Sequence, residues 1–379
     1  MKSSLSILIL CKSLPWRFNG GIQTHVWDLS KTLVSKGQKV TILTGGAWRS
    51  GIKTLQKDGV EIVEIPFFPG RHLPLFSYLA EEFSFNVEAK NWVKANCDRF
   101  DIIHAQGRSG YLLYSIPSLL PKLVQTVHGL TQRESDSFTS ASINHKSHSF
   151  FAQRWERKLM ASSREVIAVS EDLKSNLGSE KVNVIPNGVS LNLPRSGKVE
   201  SSSEKFVFVG RLSPIKGLLP LIKAMAHHTE RLELDIIGDG PQQDEIKKLI
   251  QKLGLADRVK LLGALSNEEV HGLLPNYRAL VLPSSYETQG IVLLEANYQG
   301  LPVIASDLAS IRESVKHGEN GLLCNVENPH SFILAMKKLK AKPELAREMG
   351  QRGKDRVLRE FSWDHIADTT LALYQKIAS

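Results

Sequence analysis

A chain of 379 residues, 42% hydrophobic and 23% charged, has room for two domains with a core in each, and its balance excludes a disordered or fibrous protein. The formal charge of +9 admits an anionic partner without choosing among nucleic acid, a membrane surface and a phosphorylated substrate. Cys11, Cys97 and Cys324 form no CxxC pair, which excludes a disulfide framework and the common zinc spacings and suits a reducing cytosol, and no apolar run approaches the roughly 20 residues of a membrane span.

The apolar run at 5–10 is short, lacks a small-residue cleavage site and is soon followed by Lys12, so it reads as a buried first strand and not as a signal peptide. Asn19-Gly20-Gly21-Ile22 then opens a helix whose Ile22, Val26, Leu29, Leu33 and Val34 share one face. Glycines there let backbone approach a ligand, and the helix start offers unpaired N–H groups suited to phosphate; a plain turn is the alternative. Strands are predicted at 40–44, 60–65, 101–104, 123–127, 166–169 and 182–185. His128-Gly129 forms the exit turn of the strand at 123–127, and its imidazole can donate to a sugar oxygen or accept from one. His104, at the end of Asp101-Ile102-Ile103, and His25, one turn into the first helix, repeat that argument less directly.

Further on, Phe150-Phe151-Ala152-Gln153-Arg154-Trp155-Glu156-Arg157-Lys158 interleaves aromatic and basic residues. Such a helix either rests on an anionic membrane or lipid-linked acceptor, or turns its aromatics inward and its cations to water. A polar stretch from Asn187 to Lys205 follows, with its linker placed at 191–204. Strands restart at 206–210, 232–237, 259–262, 279–282, 302–305 and 321–324, and the chain ends in helices, the last at 363–377 with Ser362 as candidate cap. The alternation of apolar runs with helical patterns predicts an α/β fold of two doubly wound, parallel-sheet domains, 1–190 and 205–362.

Two segments of the second half carry chemistry. Gly210-Arg211-Leu212-Ser213-Pro214-Ile215-Lys216-Gly217 leaves a strand end, where Arg211 can fork onto phosphate oxygens and Lys216 can act as a mobile point charge. Glu287-Thr288-Gln289-Gly290-Ile291-Val292-Leu293-Leu294-Glu295 runs from loop into helix, so the amides of Gly290, Ile291 and Val292 can hold a diphosphate oxygen. Glu287 and Glu295 flank that site, and a carboxylate accepts two hydrogen bonds from a vicinal diol, which fits a hexose at Glu287 and a ribose at Glu295. A solvated amphipathic helix is the alternative.

Together with Thr126-Val127-His128-Gly129, Val166 to Ser170, Ile185-Pro186-Asn187-Gly188-Val189, Ile237-Gly238-Asp239-Gly240-Pro241 and Pro302 to Ser306, these segments resemble glycosyltransferase family 4, the retaining group 1 glycosyltransferases of the GT-B fold. The resemblance implies two Rossmann-like domains facing each other across a cleft, the first binding acceptor and the second the nucleotide sugar, with the final helix, 363–379, packing back on the first. It implies catalytic roles for His128, Arg211, Lys216 and Glu287. Gly20, Gly21, Gln289, Gly290, Ile291, Val292 and Glu295 would bind the donor, a UDP-, GDP- or ADP-sugar used as co-substrate, with no other cofactor and no divalent metal. A saccharide or lipid-linked acceptor is implied, in bacterial polysaccharide, lipopolysaccharide or glycolipid synthesis. The expected location is the cytoplasm, with peripheral contact at the anionic inner face of the cell membrane. Nucleic acid is not expected, since the paired acids would repel a polyanion. Thr288-Gln289-Gly290 departs from the Gly-Phe-Gly or Ser-Phe-Gly of many members, which puts sugar preference in question. The rival readings are a nucleotide-sugar epimerase or phosphorylase on the same fold and a non-enzymatic anion-binding protein.

Overall fold

The structure, a computed structural model, describes residues 4–18, 20–70, 73, 77–129, 143–189 and 204–379, with the side chains of 78 and 143–150 outside that description. The chain divides into two compact units, Met1–Gly188 with Trp363–Ser379, and Val189–Ser362. The linker placed at 191–204 lies almost wholly outside the described residues. Asn187 is 3% exposed within the first unit, so packed structure extends to the edge of that stretch.

The first unit holds an eight-stranded sheet in the order β3-β4-β2-β1-β5-β6-β7-β8. Its strands are β1 Ser6–Leu10, β2 Lys39–Gly45, β3 Lys53–Lys57, β4 Val60–Ile65, β5 Ile102–Gln106, β6 Leu123–Val127, β7 Glu165–Ala168 and β8 Val182–Val184. The central strand β1 pairs in parallel with β2 (Ile7 opposite Val40) and with β5 (Ile7 opposite Ile102). Successive side chains of a strand point to opposite faces, so Ile7 and Ile9 join one core with Val26, Leu29, Trp363 and Tyr374, while Leu8 and Leu10 join another with Phe85 and Tyr111. Burial on both faces is why these strands read as continuous apolar runs.

The edge strand β3 was not expected. Its sequence Lys-Thr-Leu-Gln-Lys carries no apolar run because all five residues are exposed, and it pairs antiparallel with β4. Asp58 at φ 50° and Gly59 at φ 78° form the two-residue turn between them. Two consecutive positive φ angles match the twist of a hairpin, and the Asp-Gly dipeptide was the available sign of it.

The last helix, Trp363–Ala378, belongs to the first unit, because Trp363, Ile366, Ala367, Thr370, Leu373 and Tyr374 fall on one face and bury there. Lys36, at the end of the helix Gly21–Ser35, reaches Asp368 at 2.7 Å. On the other face, Trp155 of the helix Ile143–Ser162 stacks on Tyr111 at 4.4 Å between ring centroids, while Arg154, Arg157 and Lys158 are exposed. The aromatic-basic segment thus turns Trp155 inward and its cations to water, although Phe151 is 39% exposed.

The second unit holds a six-stranded, wholly parallel sheet in the order β11-β10-β9-β12-β13-β14. These strands are β9 Phe206–Val209, β10 Leu234–Ile237, β11 Val259–Gly263, β12 Ala279–Leu282, β13 Val303–Ser306 and β14 Gly321–Cys324. Strand order reverses between β9 and β12, which splays apart the loops leaving their carboxyl ends and opens a crevice there. In the first unit the same reversal falls between β1 and β5. All three cysteines are buried free thiols, and desolvation pushes Cys11 up to about 12.

Candidate functional site

The loop after β9 and the loop after β12 meet at the reversal point of the second unit. Ser285 N donates to Ile215 O at 2.8 Å, and a Cβ on Gly217 would lie 2.0 Å from Pro283 O. Gly217 also has φ 68°, so both the close approach and the left-handed conformation require glycine. The loop after β10 locks the same turn from the other side, with Leu212 N donating to Asp239 O at 2.7 Å and Gly238 passing against Gly210 O.

This apposition brings Lys216 and Glu287, 71 residues apart, together at 2.6 Å between Nζ and Oε1. The buried Ser284 hydroxyl donates to the same Oε1 at 2.8 Å. Oε2 of Glu287 has no hydrogen-bond partner among the described residues and is open to take one. Ser310 Oγ donates to the carbonyl of Glu287 at 2.6 Å and Ser314 Oγ to that of Gln289 at 3.2 Å, which fixes the backbone of the loop. Neither the Lys216–Glu287 pair nor its serines could be read from sequence, since each depends on which strands are neighbours.

Gly290, at φ 72° and ψ 60°, starts the helix Ile291–Tyr298 with no side-chain cap and no acid in the first turn. The first amides are therefore free of competing side-chain acceptors at the positive end of the helix. Gln289 is 2% exposed. Arg211 is exposed and has no carboxylate partner among the described residues. Glu295 lies 3.9 Å from Nε2 of His271. Burial lowers His271 from 6.5 to about 4, so that imidazole is neutral and the two groups do not form an ion pair.

In the first unit, Gly20 precedes the helix Gly21–Ser35 at φ −157° and ψ 160°, again without a side-chain cap or an acid in the first turn. That backbone is ordinary extended chain, and a Cβ there would meet Gln23 Oε1 at 2.6 Å, the far end of a flexible side chain that can give way. Half-buried His128 follows β6 and lies 2.8 Å through Nε2 from Gln106 Oε1. Beneath it His104 is fully buried, bonded to Thr126 Oγ1 at 2.7 Å and to Tyr374 OH of the last helix at 2.6 Å. Buried His25 packs edge-on to the His128 ring at 4.9 Å and to Trp363 at 5.1 Å. His104 and His25 are thus interior groups, whereas His128 is half-buried.

Two families match the chain, glycosyl transferases group 1 over residues 191–356 and glycosyltransferase family 4 over residues 19–193. The chain is 27% identical to MMP alpha-(1->4)-mannosyltransferase of Mycolicibacterium hassiacum over 94% of this chain and 95% of that protein. Among solved structures it is similar to sucrose-phosphate synthase from Thermosynechococcus elongatus, with TM-score 0.82 and 21% identity over 98% of this chain and 99% of that one. It is also similar to Anabaena Alr3699/HepE in complex with UDP-glucose, with TM-score 0.74 and 20% identity over 98% and 100%.

Proposed function

The chain belongs to the group 1 glycosyltransferases of the GT-B fold, and from that premise we propose that it is a retaining hexosyltransferase that takes its sugar from a nucleoside-diphosphate donor. The observation that carries the reading is the Lys216–Glu287–Ser284 constellation at the strand reversal, with one carboxylate oxygen held and the other open. A similar protein solved with UDP-glucose supports a nucleotide sugar as donor. In this reading Arg211, Lys216 and the amides of Gly290, Ile291 and Val292 hold the diphosphate, Oε2 of Glu287 takes hexose hydroxyls, Glu295 takes the ribose, and the helix start at Gly20-Gly21 takes phosphate. His128 is assigned to the sugar.

Placing Glu287 on hydroxyls argues against its use as a nucleophile on the anomeric carbon. We assign a same-face substitution instead. The bond from the anomeric carbon to the diphosphate oxygen breaks, the bond from the acceptor oxygen forms on the same face, and the acceptor proton passes to the departing diphosphate. Charge that builds on that diphosphate is met by Arg211, Lys216 and the helix amides without a divalent metal. The acceptor is assigned as a saccharide or lipid-linked saccharide in polysaccharide, lipopolysaccharide or glycolipid synthesis. No helix among the described residues is long and apolar enough to cross a membrane. The proposed site of action is the cytoplasm, with peripheral contact at the inner face of the membrane.

Thermal-shift screening against UDP, GDP, ADP and their sugars would identify the donor, since a ligand of the folded state raises the melting temperature. A product assay then decides the class: free nucleoside diphosphate that appears only with an acceptor means transfer. Release without acceptor, or an epimerised donor, would sink the proposal.

A further inference from the structure

A neutral imidazole has two inequivalent nitrogens, and the position of its one proton decides what the other can bind. Nε2 of His128 sits 2.8 Å from Oε1 of Gln106, a carbonyl oxygen that can only accept, so Nε2 must donate. Gln106 is 1% exposed at the end of β5, with its amide nitrogen over the His104 ring, 3.2 Å from Nε2 and 3.3 Å from Nδ1. His104 is in turn held by Thr126 and Tyr374. Nδ1 of His128 then keeps its lone pair; it has no partner among the described residues and is not sealed from solvent.

We infer that Gln106 is a positioning residue that fixes His128 as the Nε2-protonated tautomer, so that Nδ1 accepts from a hydroxyl of the transferred sugar and contributes no charge to the phosphates. An unprotonated phosphate oxygen has no hydrogen to offer that lone pair, whereas a sugar hydroxyl does. Desolvation, with His25 and His104 adding to it, holds His128 well below 6.5, so the imidazole does not acquire charge near neutral pH. Neutralising the diphosphate therefore falls to Arg211 and Lys216, and His128 selects for a hydroxylated sugar carbon. The assignment to sugar rests on the transferase reading above; the tautomer does not.

The test is imidazole 15N spectroscopy of the full chain, with the His128 resonances identified by their loss in His128→Asn. The expected wild-type spectrum has a protonated Nε2 and an unprotonated Nδ1. An Nδ1-protonated, averaged or cationic ring at pH 7 would overturn the inference. Gln106→Glu, which keeps an accepting oxygen, should preserve the tautomer, and Gln106→Leu should mix the two forms; an unchanged tautomer in Gln106→Leu counts against the role of Gln106. UDP-glucose, GDP-mannose and ADP-glucose are then added beside UDP, GDP and ADP. Nδ1 should shift with a nucleotide sugar and not with its free diphosphate; an equal shift with both overturns the hydroxyl assignment. If none of the six binds while the tautomer holds, the transferase reading fails and the role of Gln106 stands.

Discussion

Replacing Glu287 by Gln separates the two roles assigned to that residue. Gln keeps the size of the side chain and an oxygen for Ser284 but removes the charge facing Lys216 at 2.6 Å. The pair is largely shielded, with side-chain exposures of 20% for Lys216 and 11% for Glu287, so solvent screens it only in part. A hydrogen bond to a charged group contributes about 1.5–3 kcal/mol and a neutral one about 1 kcal/mol, so the unliganded unit should lose about 0.5–2 kcal/mol. For a unit of 150–250 residues that is a fall in Tm of about 1–8 °C. The same change releases Lys216 from its carboxylate, so a free nucleoside diphosphate should bind roughly 5–10-fold more tightly, about 1–1.4 kcal/mol. Transfer should nevertheless fall about 10–100-fold, since the hexose loses a charged acceptor. Calorimetric titration with UDP, GDP and ADP and a diphosphate-release assay read the two effects separately. Weaker diphosphate binding in Glu287→Gln would refute the idea that the carboxylate competes with phosphate for Lys216.

Arg211→Ala should lower kcat about 100–1,000-fold, as expected for a lost donor to developing charge, and should leave Tm unchanged because the side chain is exposed and unpaired among the described residues; a stability loss with normal turnover would contradict its role. Gly217→Ala places a Cβ 2.0 Å from Pro283 O at φ 68°, so it should destabilise the second unit by more than about 3 kcal/mol, beyond the strain of a left-handed residue alone, and abolish nucleotide-dependent thermal shifts. Acid should destabilise the protein between pH 6.5 and about 4. Burial lowers His25 to about 4, His104 to about 3 and His271 to about 4, and depresses His128 as well, so in that window the unfolded chain binds protons that the folded chain refuses. Stability is then full above 6.5 and lost as pH falls, at about 1.4 kcal/mol per pH unit for each such histidine; a Tm that stays flat from pH 6.5 to 5 would refute it.

The strand series was legible because a parallel sheet buried on both faces demands continuous apolar runs such as Leu5 to Leu10. The Glu287-to-Glu295 element and the Arg211-to-Lys216 turn were legible because each is local: a loop, a glycine and a helix start encode their own backbone geometry. Edge strand β3 was not, since five exposed residues leave no hydrophobic signal. Nor could sequence tell that Gln289 is buried, because it occupies a loop whose burial depends on what packs over it.

What only tertiary structure decided is partnership. Strand β9 beside β12 puts Lys216 on Glu287 across 71 residues, and β5 beside β6 puts Gln106 on His128. The return of the last helix gives His104 its bond to Tyr374, 270 residues away. Hydrogen bonds and ion pairs act over about 3 Å, so which charges are matched and which nitrogen carries a proton follow from neighbours in space. The sequence specifies those neighbours only through the whole packing of each sheet.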